Sequence, residues 1–133
     1  MITKQIIKLA SKTNNYGLKN EYTHKVSVKN KQCGDRIKIE IKTKGNKIIN
    51  MRYETNSCIF CEASASLLSN KINLFTIDSF NEDFDTIQKI LKNGPKKLPK
   101  KFEPFKDILN KKNYSRIECI ALPFIATIKA LKL

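Results

Sequence analysis

Between Ile37 and Tyr53 the sequence carries the pattern that most restricts its fold. Ile37, Ile39 and Ile41 alternate with Lys38, Glu40 and Lys42, so one face of an extended segment is apolar and the other charged. Thr43-Lys44-Gly45-Asn46 follows, and Gly and Asn accept the positive φ of a tight turn. Ile49, Met51 and Tyr53 then repeat the period of two. Two strands joined by so short a turn must pair as an antiparallel hairpin. His24, Val26 and Val28 alternate with Lys25, Ser27 and Lys29, which supplies one more strand ahead of the hairpin. The sheet therefore has about three strands.

Elsewhere the period is helical. Ile2, Ile6, Ile7 and Leu9 predict a short helix over 2–12, stopped by Asn14-Asn15-Tyr16-Gly17. Ala63-Ser64-Ala65-Ser66-Leu67-Leu68 predicts a helix from about Ile59, with serines small enough for close backbone approach. Phe84, Ile87, Ile90 and Leu91 share one face of a helix over 81–92, which Asn93-Gly94-Pro95 ends. The stretch 94–104, with its run Lys96-Lys97-Leu98-Pro99-Lys100-Lys101, is expected to be a long exposed loop. Phe105, Ile108 and Leu109 suggest a short helical piece, and residues 120–131 a last apolar helix. The fold class is α+β: a small antiparallel sheet packed against several helices. With 133 residues and no internal repeat, residues 1–133 are expected to form a single domain.

Composition narrows the function classes. The formal net charge of +14 invites a nucleic-acid reading. However, all but three of the 26 basic residues are Lys, scattered along the chain, whereas bidentate phosphate contacts favour Arg. The charge reads first as a solvated basic surface, an acidic protein partner is compatible with it, and nucleic acid is not the expected ligand. The N-terminal stretch has no apolar block suited to a signal peptide, and no segment nears the ~20 apolar residues of a membrane span. A cytoplasmic, reducing location without membrane attachment is expected, where free cysteines bind metals or do chemistry.

Three cysteines stand at places where a loop or helix end can present a thiol. Cys33-Gly34-Asp35 lies between the first two strands, and its glycine allows thiolate and carboxylate to point at one spot. Cys58 precedes the Ala/Ser helix, where the positive end of a helix dipole favours thiolate. Cys119 precedes Pro123, and proline is best tolerated in a first turn, so the last helix should begin near Cys119. A capping box at Ser115-Arg116-Ile117-Glu118 gives a competing start. Three thiolates and one carboxylate could complete a tetrahedral metal site. Three buried structural cysteines are the alternative. Cys61, one turn beyond Cys58, is expected to pack beneath the site or serve an accessory sulfur role, and His24 reads as a strand-face structural residue.

Read together, Cys33-Gly34-Asp35-Arg36, Cys58-Ile59-Phe60-Cys61-Glu62-Ala63-Ser64-Ala65-Ser66 and Arg116-Ile117-Glu118-Cys119-Ile120-Ala121-Leu122-Pro123-Phe124 resemble the three cysteine motifs of the NifU/IscU/SufU family. The Asn14-Asn15-Tyr16-Gly17 turn also resembles that family's N-terminal turn. The resemblance implies a scaffold for iron–sulfur cluster assembly. Its active cysteines would be Cys33, Cys58 and Cys119 and its aspartate Asp35, with Cys58 and Cys119 as candidate sulfur acceptors. The implied cargo is a transient 2Fe–2S cluster, and the implied partners are a cysteine desulfurase and iron–sulfur acceptor proteins. Two departures stand out: Lys31 replaces the family's proline two residues before the first cysteine, and Glu118 replaces the histidine of the IscU branch. The long segment between Cys58 and Cys119 is similar to that of the SufU branch, which includes zinc-binding sulfurtransferases. Zn²⁺ is therefore the rival metal, and sulfurtransferase the rival to a non-enzymatic scaffold.

Overall fold

The computed structural model describes every residue except Met1, Pro95 and Lys96. The proline of the Asn93-Gly94-Pro95 stop and the first lysine of the basic run thus lie outside the described residues. In chain order the elements are α1 (Lys4–Ala10), β1 (His24–Lys29), β2 (Arg36–Lys44), β3 (Lys47–Asn56), α2 (Ile59–Asn70), α3 (Phe80–Asn93) and α4 (Ile117–Leu131). Short 3₁₀ turns occupy Ile72–Leu74, Lys100–Phe105 and Lys111–Arg116. The sheet is antiparallel in the order β1-β2-β3. Among the described residues no helix is long and apolar enough to cross a membrane.

The alternation in β2 puts Ile37, Ile39 and Ile41 entirely inside the core. In β3 the expected inward face is corrected at one position. Thr43 pairs with Ile48 and Lys42 with Asn50, so Ile49 is the extra residue of a bulge and has no cross-strand partner. The bulge shifts the period by one: Ile48 is buried and Ile49 is 49% exposed, while Met51 and Tyr53 face the core as expected.

The charged face of the sheet is partly covered. Glu40, only 3% exposed, accepts hydrogen bonds from the backbone N–H groups of Lys19 and Asn20. Arg52 donates to the carbonyls of Tyr16 and Gly17 at 2.9 and 2.7 Å. These two side chains fasten the segment after α1 across the sheet, so buried polarity there is satisfied rather than stranded.

Helices α2 and α4 pack on each other and link the sheet to the rest of the core. The small residues of α2 act as expected: Ser64 donates to the Ile120 carbonyl at 2.7 Å, and Ser66 to the Lys12 carbonyl at 2.9 Å. Midway along α4, Phe124 stacks on Phe84 with ring centroids 5.5 Å apart, and Phe75, Phe80 and Phe105 surround it.

Two expectations about the C-terminal third need correction. Residues 94–104 are not wholly an exposed loop, because Phe102 is buried in the 3₁₀ turn and Lys101 pairs with Asp83 of α3 at 2.5 Å. The capping box does not form: Ser115 belongs to the preceding 3₁₀ turn, and the residue capping α4 is Arg116, which makes no side-chain cap bond. That 3₁₀ turn takes its own cap from Asn110, which accepts from the Lys112 N–H. Pro123 therefore lies inside α4 rather than in its first turn, and it removes the N–H that would otherwise bond the Cys119 carbonyl.

Candidate functional site

The β1–β2 loop, the start of α2 and the start of α4 meet at one end of the sheet. Gly34 adopts φ +78, a left-handed conformation that glycine adopts without a Cβ clash. Its N–H donates to the Asn30 carbonyl at 2.8 Å, and the Asn30 N–H to the Asp35 carbonyl at 2.7 Å. The closed loop turns Cys33 and Asp35 toward α4. One ligand atom each from Cys33, Asp35 and Cys119 lie within 4.8 Å of one another. Among the described residues these three form a group able to hold a metal ion.

Cys58 stands beside that group and is not one of its three mutually close atoms. It is the N-terminal capping residue of α2, with extended φ and ψ, and its backbone N–H donates to Asp35 Oδ1 at 3.1 Å. The carboxylate thus caps the helix that carries the second cysteine, a link that sequence spacing did not reveal. Cys119 occupies the first turn of α4 and is buried, whereas Cys33 is exposed and Cys58 half-buried.

The electrostatics suit a cation. Burial raises the Cys119 thiol well above the ordinary cysteine value, a side-chain hydrogen bond with Cys58 adds to it, and negative charge on Cys58, Asp35 and Cys33 acts in the same direction. The three thiols and the carboxylate thus act on one another as acidic neighbours. Asp35 is 7% exposed, and its Oδ2 is buried without a hydrogen-bond partner. Buried polar atoms are nearly always satisfied, so an orphaned carboxylate oxygen beside two sulfurs fits the donor set of a metal site. One hard oxygen with soft sulfurs suits iron or zinc better than magnesium or calcium.

The other candidates fall elsewhere. Cys61 is fully buried in the core, where burial pushes its thiol up to about 12 despite an opposing hydrogen bond from Ser57. It lies outside the ligand group. His24 begins β1, at the strand end away from the Cys33 loop, and its Nδ1 lies 2.9 Å from Thr23 Oγ1. Glu118, exposed in the first turn of α4, is also outside the group.

The model of the NifU-like N-terminal domain matches residues 1–107. The chain belongs to this family. The match includes Cys33, Asp35 and Cys58 and ends before Cys119, which joins the site through the packing of α4. No curated protein matches the sequence. Solved structures of NifU-like form share the fold. The N-terminal part of a nitrogen-fixing NifU-like protein from Brucella abortus is 24% identical, with 98% of this chain and 91% of that one covered and a TM-score of 0.75. A putative iron–sulfur cluster assembly scaffold protein for the SUF system from Fervidobacterium islandicum AW-1 is 21% identical, with 98% and 96% covered and a TM-score of 0.85. The small antiparallel α+β architecture expected from the sequence is the architecture of this NifU-like chain.

Proposed function

We propose that residues 1–133 act as one scaffold domain on which an iron–sulfur cluster is assembled and from which it is handed on. The assembly site is Cys33, Asp35, Cys58 and Cys119. The observation that carries this reading is the buried Asp35 carboxylate, one oxygen of which lies within 4.8 Å of the Cys33 and Cys119 sulfurs and whose Oδ2 has no hydrogen-bond partner, in a chain of the NifU-like family.

The cluster is cargo, and the residues divide the work of holding it. The three cysteines supply soft sulfur donors. Asp35 supplies a harder oxygen that binds iron less firmly and leaves a position for an incoming acceptor. Cys119 is held as a thiol by burial, so it releases a proton when it becomes a ligand, and uptake of iron strengthens as pH rises. Cys58 and Cys119 are the sulfur acceptors, with Cys58 the more accessible of the two. The Cys58 thiolate attacks the outer sulfur of the donor's persulfide. A new S–S bond forms on Cys58, the donor's S–S bond breaks, and the donor cysteine departs as thiolate. The donor is a cysteine desulfurase, the recipients are apo iron–sulfur proteins, the cargo is a 2Fe–2S cluster, and the compartment is the reducing cytoplasm.

Metal and sulfide analysis after oxygen-free purification and reconstitution tests the reading. Iron with acid-labile sulfide is expected on the wild type. Cys33→Ala, Cys58→Ala and Cys119→Ala should each lower retention by about tenfold or more, because a four-donor site loses closure with any thiolate. Cys61→Ala should retain most of it. Full occupancy in any of the first three variants would sink the shared site. Zinc alone, with no cluster after reconstitution, would transfer the assignment to a zinc-dependent sulfurtransferase.

A further inference from the structure

Two residues of this chain that are not metal donors flank two that are. Gln32 precedes Cys33 and Glu118 precedes Cys119. With its amide turned so that nitrogen faces the carboxylate, Gln32 donates to Glu118 at 2.5 and 2.6 Å from the two oxygens. The hydrogen bonds of Asn30, described above, shape the β1–β2 loop from within. A third bond, to the Asn30 side chain, runs from the Gln32 N–H to Asn30 Oδ1 at 2.9 Å. None of these attaches the loop to α4. The Gln32–Glu118 contact does, one residue from each sulfur. Glu118 also lies in the first turn of α4, where the helix dipole stabilises a carboxylate.

We propose that Gln32 and Glu118 form a clasp that sets the separation of Cys33 and Cys119. They are positioning residues: neither touches the cargo, and both act through the cysteine beside them. The inference deepens the assembly-site reading and rests on it for its functional meaning. Its geometric content stands apart from the cargo, since the clasp is a property of the metal-free chain. An exposed Cys33 on a glycine-containing loop has freedom to swing outward, and the clasp removes that freedom. A hydrogen bond to an ionised group is stronger than a neutral one. Partners of this kind around metal ligands commonly govern affinity by tenfold or more. Exposure of both residues puts the expected effect lower, at about threefold to tenfold.

The test uses metal-free protein in a Cys58→Ser, Cys61→Ala background, which leaves only Cys33 and Cys119 of the four cysteines. Diamide then oxidises the pair: two thiols give up two protons and two electrons, one S–S bond forms, and diamide is reduced to the hydrazine. The rate of disulfide formation reports how often the two sulfurs meet. It should fall about threefold to tenfold in Gln32→Ala and in Glu118→Ala. The double variant should fall no further, because one contact can be lost only once. The exchange Gln32→Glu with Glu118→Gln should return the rate to within about twofold of its starting value, because amide and carboxylate still face each other. Thermal melting should stay within about two degrees throughout. A second measurement, Zn²⁺ affinity by chelator competition in the chain with all its cysteines, should follow the same pattern and covers the case of a background that does not fold. Unchanged rates in both single variants, additive losses, or an exchange variant no better than the singles would overturn the clasp. A chain that traps as expected yet never assembles a cluster would retain the clasp and sink the scaffold reading.

Discussion

Cys119 and Phe124 stand on the same helix, little more than one turn apart, and face two differently built regions. Phe124 is enclosed by Phe75, Phe80, Phe84 and Phe105, rings from three separate stretches of chain. Each of those contacts is apolar and complete, and nothing in the cluster awaits a partner. Cys119 faces Cys33, Asp35 and Cys58, where one carboxylate oxygen has no partner and the thiol is raised first by burial and then by its acidic neighbours. The first region closes without any ligand. The second keeps a buried carboxylate oxygen without a partner beside sulfurs that could hold a metal ion with it. Stability and chemistry should therefore respond to different substitutions.

The largest expected effect separates them directly. Phe124→Ala removes a fully buried ring and should lower folding stability by about 3–5 kcal/mol. Cys33→Ala removes an exposed thiol and should shift stability by no more than about 0.5 kcal/mol, although metal retention should collapse. Urea denaturation of both variants, run without metal, makes the comparison. Equal destabilisation by the two would erase the division.

A smaller effect belongs to Asp35, which serves both roles. Asp35→Ala takes the acceptor from the Cys58 N–H, at a cost of about 1 kcal/mol for a lost cap, and also removes a buried unpaired oxygen whose desolvation opposes folding. These oppose, so net stability should change little. Three cysteines then hold the cluster without the exchangeable oxygen donor, so it should persist longer and pass more slowly to an apo-ferredoxin. Transfer at the wild-type rate from a normally folded variant would remove Asp35 from the mechanism.

An effect absent at neutral pH is visible only in alkali. Cys61 has its thiol raised from 9.0 to about 12 by burial. Below pH 9 both folded and unfolded chains keep the proton and no difference arises. Between 9 and 12 the unfolded chain loses it while the folded chain keeps it, so stability falls by about 1.4 kcal/mol per pH unit. Cys61→Ala should lose this share of the slope, while the Lys and Tyr titrations common to both proteins cancel. Parallel slopes from pH 8 to pH 10 would mean that Cys61 is not held protonated.

The sheet and the places of the three cysteines were legible because each depends on local rules. Alternation gives the strands, Gly34 gives the loop, and the small residues of α2 mark its packing side. Ile49 was misplaced because a bulge is one unpaired residue that leaves the alternating pattern intact to the eye. Glu40 reads as solvent-facing by period, yet a distant segment folds over it and supplies its N–H donors. The start of α4 escaped because Asn110 caps the 3₁₀ turn ahead of it, leaving Ser115 no capping role. Within the site, the donor types were readable and the mutual distances were not. The Asp35–Cys58 bond joins residues on different elements, and only tertiary packing brings them together.

The place of α4 in the chain carries a consequence for synthesis. Cys33, Asp35 and Cys58 leave the ribosome well before Cys119, which arrives on the last helix of the order given above. At usual elongation rates of roughly 5–20 residues per second, several seconds separate Cys58 from Cys119. During that interval the nascent chain can form its hairpin and α2 but lacks one sulfur and the wall that α4 supplies. Such a chain should bind metal weakly and give it up readily. If the site is loaded as proposed, loading should wait until α4 has docked, and a firmly held cargo would be a sign that translation has passed Cys119 and that α4 is in place.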